Sequence, residues 1–239
     1  MKPQEFRQAC KNCSLSSLCL PVGLDSAEMK RLDKIIHKQK VVQKGELLVR
    51  EDQEFSGLFA VHSGSLKAYQ STPLGRDKII GFYLPGELFG FDAIYPQKYT
   101  LTLQALELSS VCELPFAKLL GLASELPPLQ SQLFSLMSQQ INVDYVVNRQ
   151  ASAEQNIAAF LLNLSQRYQR RGLSATKFVL SMPRQDIANY LGLATETISR
   201  ILTRFQENNL IHVERRQIEL LDLRQLQILR LGPGPCSPI

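Results

Sequence analysis

The 239 residues are 44% hydrophobic and carry a formal charge of +5, enough chain for one large or two modest globular domains with real cores. The longest apolar runs fall far short of the roughly 18–20 residues that a membrane-spanning helix needs, and the opening MKPQEFRQAC has no apolar secretion segment. A cytoplasmic protein without a membrane partner is expected, and in that compartment cysteines serve metals rather than disulfides.

Residues 1–23 form an arm of little periodicity that carries Cys10-x2-Cys13-x5-Cys19. Asp25 or Ser26 can cap a short helix to about His37, with Leu24, Met29, Leu32, Ile35 and Ile36 as its apolar positions. From Val41 to Glu113 short apolar runs alternate with glycine turns, the pattern of a small antiparallel β-roll or barrel. Leu58 to Tyr69 reads as a hairpin. Cys112 lies near the end of this region in an ordinary hydrophobic stretch.

A short helix is expected over Phe116–Ser124, and Pro127-Pro128 opens a long one. Its stripe is Leu129, Leu133, Leu136, Met137, Ile141, Asp144, Tyr145 and Val147. Such a stripe packs either on the roll or on a partner helix across a two-fold axis. Ala153–Arg171 is a further amphipathic helix, stopped by Gly172. The proline- and glycine-rich tail after Leu231 is expected to be disordered.

The whole positive excess lies in residues 149–239, while residues 1–148 balance. That is the footprint of a nucleic-acid module beside a neutral one. Pro183–Tyr190, the turn Leu191-Gly192-Leu193, and Thr195 to about Asn208 read as helix, turn and helix, with Thr195 as N-cap. Ile198, Leu202 and Phe205 share one face and Glu196, Ser199 and Arg200 another, near the end that enters a major groove. Arg200 suits guanine, Glu196 suits cytosine N4, and Ser199 is adaptable. Thr197, Arg184 and Arg204 are placed for phosphates. Ile211-His212-Val213 and Gln217-Ile218-Glu219-Leu220 flank Arg215-Arg216 as a two-stranded wing.

Three clustered thiols and a distant one can close around one soft metal centre, and thiolates select an iron–sulfur cluster or zinc. A metal site and a DNA-reading helix on one chain point to a sensor that regulates transcription. No nucleophile–base pair, phosphate loop or ligating histidine pair is present, so an enzyme is not expected. His37, His62 and His212 are isolated and read as surface or edge residues, and Glu87 and Asp92 as turn residues.

These residues also carry a resemblance. Cys10-x2-Cys13-Ser14-x4-Cys19, Gly81-Phe82, Gly86-Glu87, Gly90-Phe91-Asp92-Ala93-Ile94, Val111-Cys112-Glu113 and Asn189-Tyr190-Leu191-Gly192-Leu193-x-Thr195-Glu196-Thr197-Ile198-Ser199-Arg200 match a known pattern. From about Cys10 to Leu220 the chain resembles the oxygen-responsive FNR-type iron–sulfur regulators of the CRP/FNR superfamily. The resemblance implies an α+β chain with a cyclic-nucleotide-binding-like β-roll, a long dimerisation helix and a C-terminal winged helix-turn-helix. The expected division is 1–23 cluster-binding arm, 24–125 β-roll, 126–152 dimerisation helix, 153–231 DNA-binding domain and 232–239 tail.

The resemblance further implies one [4Fe–4S] cluster held by Cys10, Cys13, Cys19 and Cys112, with Ser14 and Leu18 modulating its reactivity. A cluster-loaded homodimer would bind a TTGAT…ATCAA-type palindrome, contact RNA polymerase, and lose DNA when oxygen degrades the cluster. Ile141 and Asp144 would lie on the dimer helix, with the Asp144 charge opposing association once the cluster is lost. The polymerase-contacting tip carries Arg76 where the family tends to be acidic, the segment from Ser138 to Ala153 is shorter than the family's, and Cys236 has no counterpart.

Other readings of the same residues remain. Four thiolates can hold structural zinc, although zinc sites usually pair two C-x2-4-C knuckles. They can also act as a thiol-redox pair. A cyclic-nucleotide-dependent regulator would need a buried arginine late in the roll, and none occurs from Asp77 to Asn148.

Overall fold

A strand that is apolar on both faces cannot lie at a surface; it needs a layer on each side. Leu58, Phe59, Ala60 and Val61 are all buried, and they form the middle of β3 (Gly57–Ser63). In the computed structural model, which describes residues 10–72, 77–144 and 151–232, β3 is an interior strand of an antiparallel sheet. The chain divides into two units, Met1–Ile141 and Asn142–Ile239.

The first unit holds β1 (His37–Val42), β2 (Leu47–Val49), β3, β4 (Leu66–Ser71), β5 (Asp77–Tyr83), β6 (Leu88–Phe89), β7 (Thr102–Ala105) and β8 (Ser109–Pro115). They make two four-stranded sheets, ordered β1-β8-β3-β6 and β2-β7-β4-β5. Phe59, Val61, Leu66, Phe89, Tyr99, Leu103 and Val111 fill the interior of the roll. The Tyr99 hydroxyl is satisfied there by donating to the Gly57 carbonyl at 2.7 Å. Leu58, Ala60, Leu88 and Leu114 belong instead to an outer core, shared with Leu20, Leu24, Leu32 and Leu119.

The hairpin expected over Leu58–Tyr69 does not form. β3 pairs with β8 and β6, while β4 pairs with β5 and β7 in the other sheet. The two-sided burial of β3 explains the difference, because its flanks are taken by strands that extend the same layer. Gly64, at φ +77°, turns the chain from one sheet toward the other.

Helix α1 (Ser26–Ile35) starts on a capping box: Asp25 accepts from the Ala27 and Glu28 N–H groups, and Glu28 accepts from the Asp25 N–H. It ends two residues before the expected limit, because Ile36 is extended and His37 already pairs with Glu113. After β8 come α2 (Phe116–Glu125) and α3 (Pro127–Asp144). The α3 stripe divides. Leu129, Leu133 and Leu136 pack on the outer core, whereas Ile141 is 58% exposed, as is Phe134, which the stripe did not include, at 64%. Tyr145, Val147, Arg76 and the tail with Cys236 lie outside the described residues.

The second unit contains α4 (Ala153–Arg170), β9 (Lys177–Val179), α5 (Arg184–Leu191), α6 (Thr195–Glu207), β10 (Ile211–Glu214), β11 (Gln217–Leu220) and α7 (Leu223–Leu231). Ser152 and Gln155 form the capping box of α4. The wing is three-stranded, in the order β10-β11-β9. The N-cap of α6 is Ala194, with no side-chain bond, rather than Thr195. The left-handed turn at Gly192, φ +68°, leaves Ala194 as the extended residue and puts Thr195 inside the first turn.

Leu114 is 1% exposed and joins β8 to the outer core. Leu114→Ala is expected to destabilise the first unit by about 2–5 kcal/mol, measured by urea unfolding followed through tyrosine fluorescence. An unchanged midpoint would remove the two-faced strand pair from its central place.

Candidate functional site

The arm begins as a short 3-10 turn, Cys10–Asn12, and continues in turns to Gly23. Three contacts hold it on the outer face of the roll. The Cys10 N–H donates to the Asp33 carboxylate on α1 at 2.7 Å. Gln132 of α3 donates to the Cys19 carbonyl at 3.0 Å. Leu20, 1% exposed, enters the outer core. Local backbone bonds curl the arm between these anchors, Cys13 N–H to the Cys10 carbonyl and Cys19 N–H to the Leu15 carbonyl.

Cys112 comes to the same place by strand alternation. Its neighbours Val111 and Leu114 fall in the inner and outer cores respectively. Cys112 pairs with Ala60 on one side and Gln39 on the other. Cys10, Cys13, Cys19 and Cys112 line one apolar cleft together with Leu15, Ser16, Ile36, Ala60, His62 and Gly86. All four are free thiols. Among the described residues, no three His, Cys, Asp or Glu side chains are grouped so as to hold a single metal ion.

Ser14 is exposed and Leu18 lies against Gly86, where an added Cβ would stand 3.3 Å from it. Of the arm residues between Cys13 and Cys19, it is Leu15 and Ser16 that line the cleft. His62 was expected at a surface or edge and instead faces the cleft. Its Nδ1 is 3.2 Å from Ser110 Oγ, and burial lowers its pKa. No local motif announces Leu15, Ser16, Gln39 or His62: the first two come with the docked arm, and the pairing of β1, β8 and β3 brings Gln39 and His62 beside Cys112.

Burial dominates the electrostatics of the cleft. Burial pushes the Cys19 thiol up to about 12 and the Cys112 thiol up to about 11, and the charges of neighbouring cysteines add to both. Cys10 is raised further by burial and then by the Asp33 carboxylate that bonds it. The nearby Gln39 side chain acts on Cys112 in the opposite direction. Alone, these groups stay neutral; a thiophilic cation is what would make them thiolates.

In the second unit, Ile198, Ile201, Leu202 and Phe205 bury one side of α6. Glu196 and Arg200 are exposed and Ser199 is half-buried. Arg184 donates to Ser199 Oγ at 3.4 Å, and Arg200 to Thr197 Oγ1 at 3.4 Å. Arg204 forms an ion pair with Glu154 at the start of α4. At the wing turn Arg215 has φ +55° and is exposed, while the Arg216 guanidinium donates to the Ser181 carbonyl. Ile141 is exposed near the end of α3, and Asp144 is its last residue.

Folding holds Cys19 and Cys112 protonated above their ordinary value of 9.0. The folded metal-free protein therefore binds more protons than the unfolded chain above that pH. Its stability is full below about pH 9 and declines as pH rises toward 11–12. Urea midpoints between pH 8 and 11 test this, and Cys19→Ser should flatten the decline.

Comparison with known proteins follows the same two parts. Residues 39–125 match the cyclic nucleotide-binding domain family and residues 155–229 the Crp-like helix-turn-helix domain family. The chain is 45% identical over 226 residues to the transcriptional activator protein anr of Pseudomonas aeruginosa, covering 93% of each. It is 42% identical over 229 residues to the fumarate and nitrate reduction regulatory protein of Yersinia pestis, covering 95% of this chain and 92% of that one. The solved structure of FixK2 from Bradyrhizobium japonicum superposes with a TM-score of 0.75 at 24% identity, over 84% of this chain and 100% of that one, and shares the fold. The chain thus belongs to the FNR-type transcription regulators of the CRP/FNR superfamily.

Proposed function

We propose that the chain is a cytoplasmic, oxygen-responsive transcription regulator that holds one [4Fe–4S] cluster through Cys10, Cys13, Cys19 and Cys112. The observation that carries this reading is the convergence of all four thiols on one apolar cleft. Relatives named as anaerobic regulatory proteins support the oxygen response. The donor set fits the group: four sulfurs, no competing carboxylate in the lining, and an apolar wall. When bound, the cluster supplies the reactivity toward oxygen.

The protein's own residues supply the coupling. With its cysteines engaged, the arm is fixed against β8, and Gln132 ties it to α3. Leu133 and Leu136 of the same helix share the outer core with Cys10, Cys19 and Cys112. The position of the arm thus biases the helix that exposes Phe134 and Ile141, the seam on which a second copy would pack. Asp144 beyond that seam would set two like charges near a two-fold axis and oppose association when the arm is released.

In the dimer, α6 would enter the major groove of a TTGAT…ATCAA-type palindrome. Arg200, Glu196 and Ser199 would read base edges, and Thr197, Arg184 and Arg204 would meet phosphates. Arg204 would exchange Glu154 for phosphate to do so. RNA polymerase is the further partner. No cyclic nucleotide enters this reading, since the chain has no arginine from Asp77 to Asn148 to meet its phosphate, and no catalytic role is assigned.

Anaerobic purification with iron and sulfide assays tests the cluster. Visible absorption that bleaches in air, lost in Cys112→Ser, is the expected result. A colourless protein with stoichiometric zinc overturns it. For DNA, Arg200→Ala should weaken palindrome binding by about 1–3 kcal/mol and relax preference at one base pair, as read by titration at fixed salt. Uniform weakening across sequences would instead make Arg200 a phosphate contact.

A further inference from the structure

Gln39 sits on β1 directly opposite Cys112 of β8, and Cys112 is opposite Ala60 of β3. Directly paired residues on adjacent strands share a face of the sheet. Gln39, Cys112 and Ala60 therefore make one row on the outer face, and two of the three line the cysteine cleft. The Gln39 Nε2 atom is buried and, among the described residues, has no partner in hydrogen-bonding geometry. An unpaired buried amide donor is a cost that an apolar side chain of the same size would avoid. His62 faces the same cleft, but its Nδ1 is within hydrogen-bonding reach of Ser110.

The chemistry of the neighbour explains the unpaired donor. A thiol sulfur is a weak acceptor, whereas a thiolate is a charged and stronger one. Cys112 is also the one cysteine of the four on a strand, while the other three lie on the turns of the arm. It is the fixed corner of the site.

We propose that the Gln39 side-chain amide is a positioning donor to the cluster site: its Nε2–H bonds the Cys112 sulfur in the metal-bound thiolate form and holds that ligand in place. This rests on the reading of the four cysteines as ligands of one bound group. Outer partners of this kind fix ligand orientation and slow metal loss. The donor is unsatisfied while Cys112 is a thiol and satisfied once it is a thiolate. Its contribution thus has opposite signs in the two states.

Gln39→Met keeps the length of the side chain and removes the donor; Gln39→Glu keeps its shape and replaces the donor with an acceptor. The full-length wild type and both variants are loaded anaerobically with iron and sulfide, and separately with cadmium alone. The rate at which a chelator strips each is then measured, along with the thermal midpoint of each metal-free protein. Both variants should release iron and cadmium roughly ten-fold faster than wild type, while metal-free Gln39→Met unfolds at or above the wild-type temperature.

Chelator rates equal to wild type in both arms overturn the proposal. So does a metal-free Gln39→Met protein that is itself destabilised, since that marks a packing role. A wild type that takes up cadmium but no iron and sulfide removes the cluster reading alone, because the cadmium rates still decide the role of Gln39.

Discussion

Burial of both faces of the β3–β8 pair is the constraint on which the first unit depends. One face closes the roll around Phe59, Val61 and Val111. The other face, with Leu58, Ala60 and Leu114, has no second sheet to cover it. Helices α1 and α2 cover part of it, and the arm covers more through Leu20. The arm is therefore structural before it is chemical. Its cysteines reach Cys112 because its leucines are driven onto the same apolar surface.

The second consequence concerns charge. A cleft walled by Leu15, Ile36 and Ala60 does not favour anionic sulfur, and three of its four thiols are held protonated well above their ordinary range. A bound thiophilic cation would reverse that preference and help to hold the arm. Gln132 reaches from α3 to the Cys19 carbonyl and so ties the arm to the next helix. Helix α6 follows a different logic. There Ile198, Ile201, Leu202 and Phe205 are buried and leave Glu196 and Arg200 exposed.

Much of this was legible in the sequence where a signal is local. The Asp25 and Gly192 positions mark a helix start and a turn through their own chemistry. The spacing of Ile198, Leu202 and Phe205 gives a buried helix face directly. What stayed hidden depends on pairing between distant segments. Leu58–Tyr69 carries every mark of a hairpin, yet its two strands enter different sheets because β3 is needed between β8 and β6. β9 is three residues long, too short for alternation to show, and it becomes a strand only beside β11. Helix α7 has a single fully buried residue, Leu226, and a weak apolar pattern. Gln39 has no motif at all; its place beside Cys112 is a matter of register.

The order in which the chain is made adds one more consequence of the docked arm. Cys10, Cys13 and Cys19 are synthesised first, but their resting place is formed by β8 and by Gln132 of α3, which emerge much later. Contacts so distant in sequence form late and at an entropic cost. Until those elements are in place the three arm thiols lack the apolar wall that buries them in the folded unit. The roll must close before the cleft exists. Docking of the arm, and with it any filling of the site, therefore requires the sheet and helix that receive it.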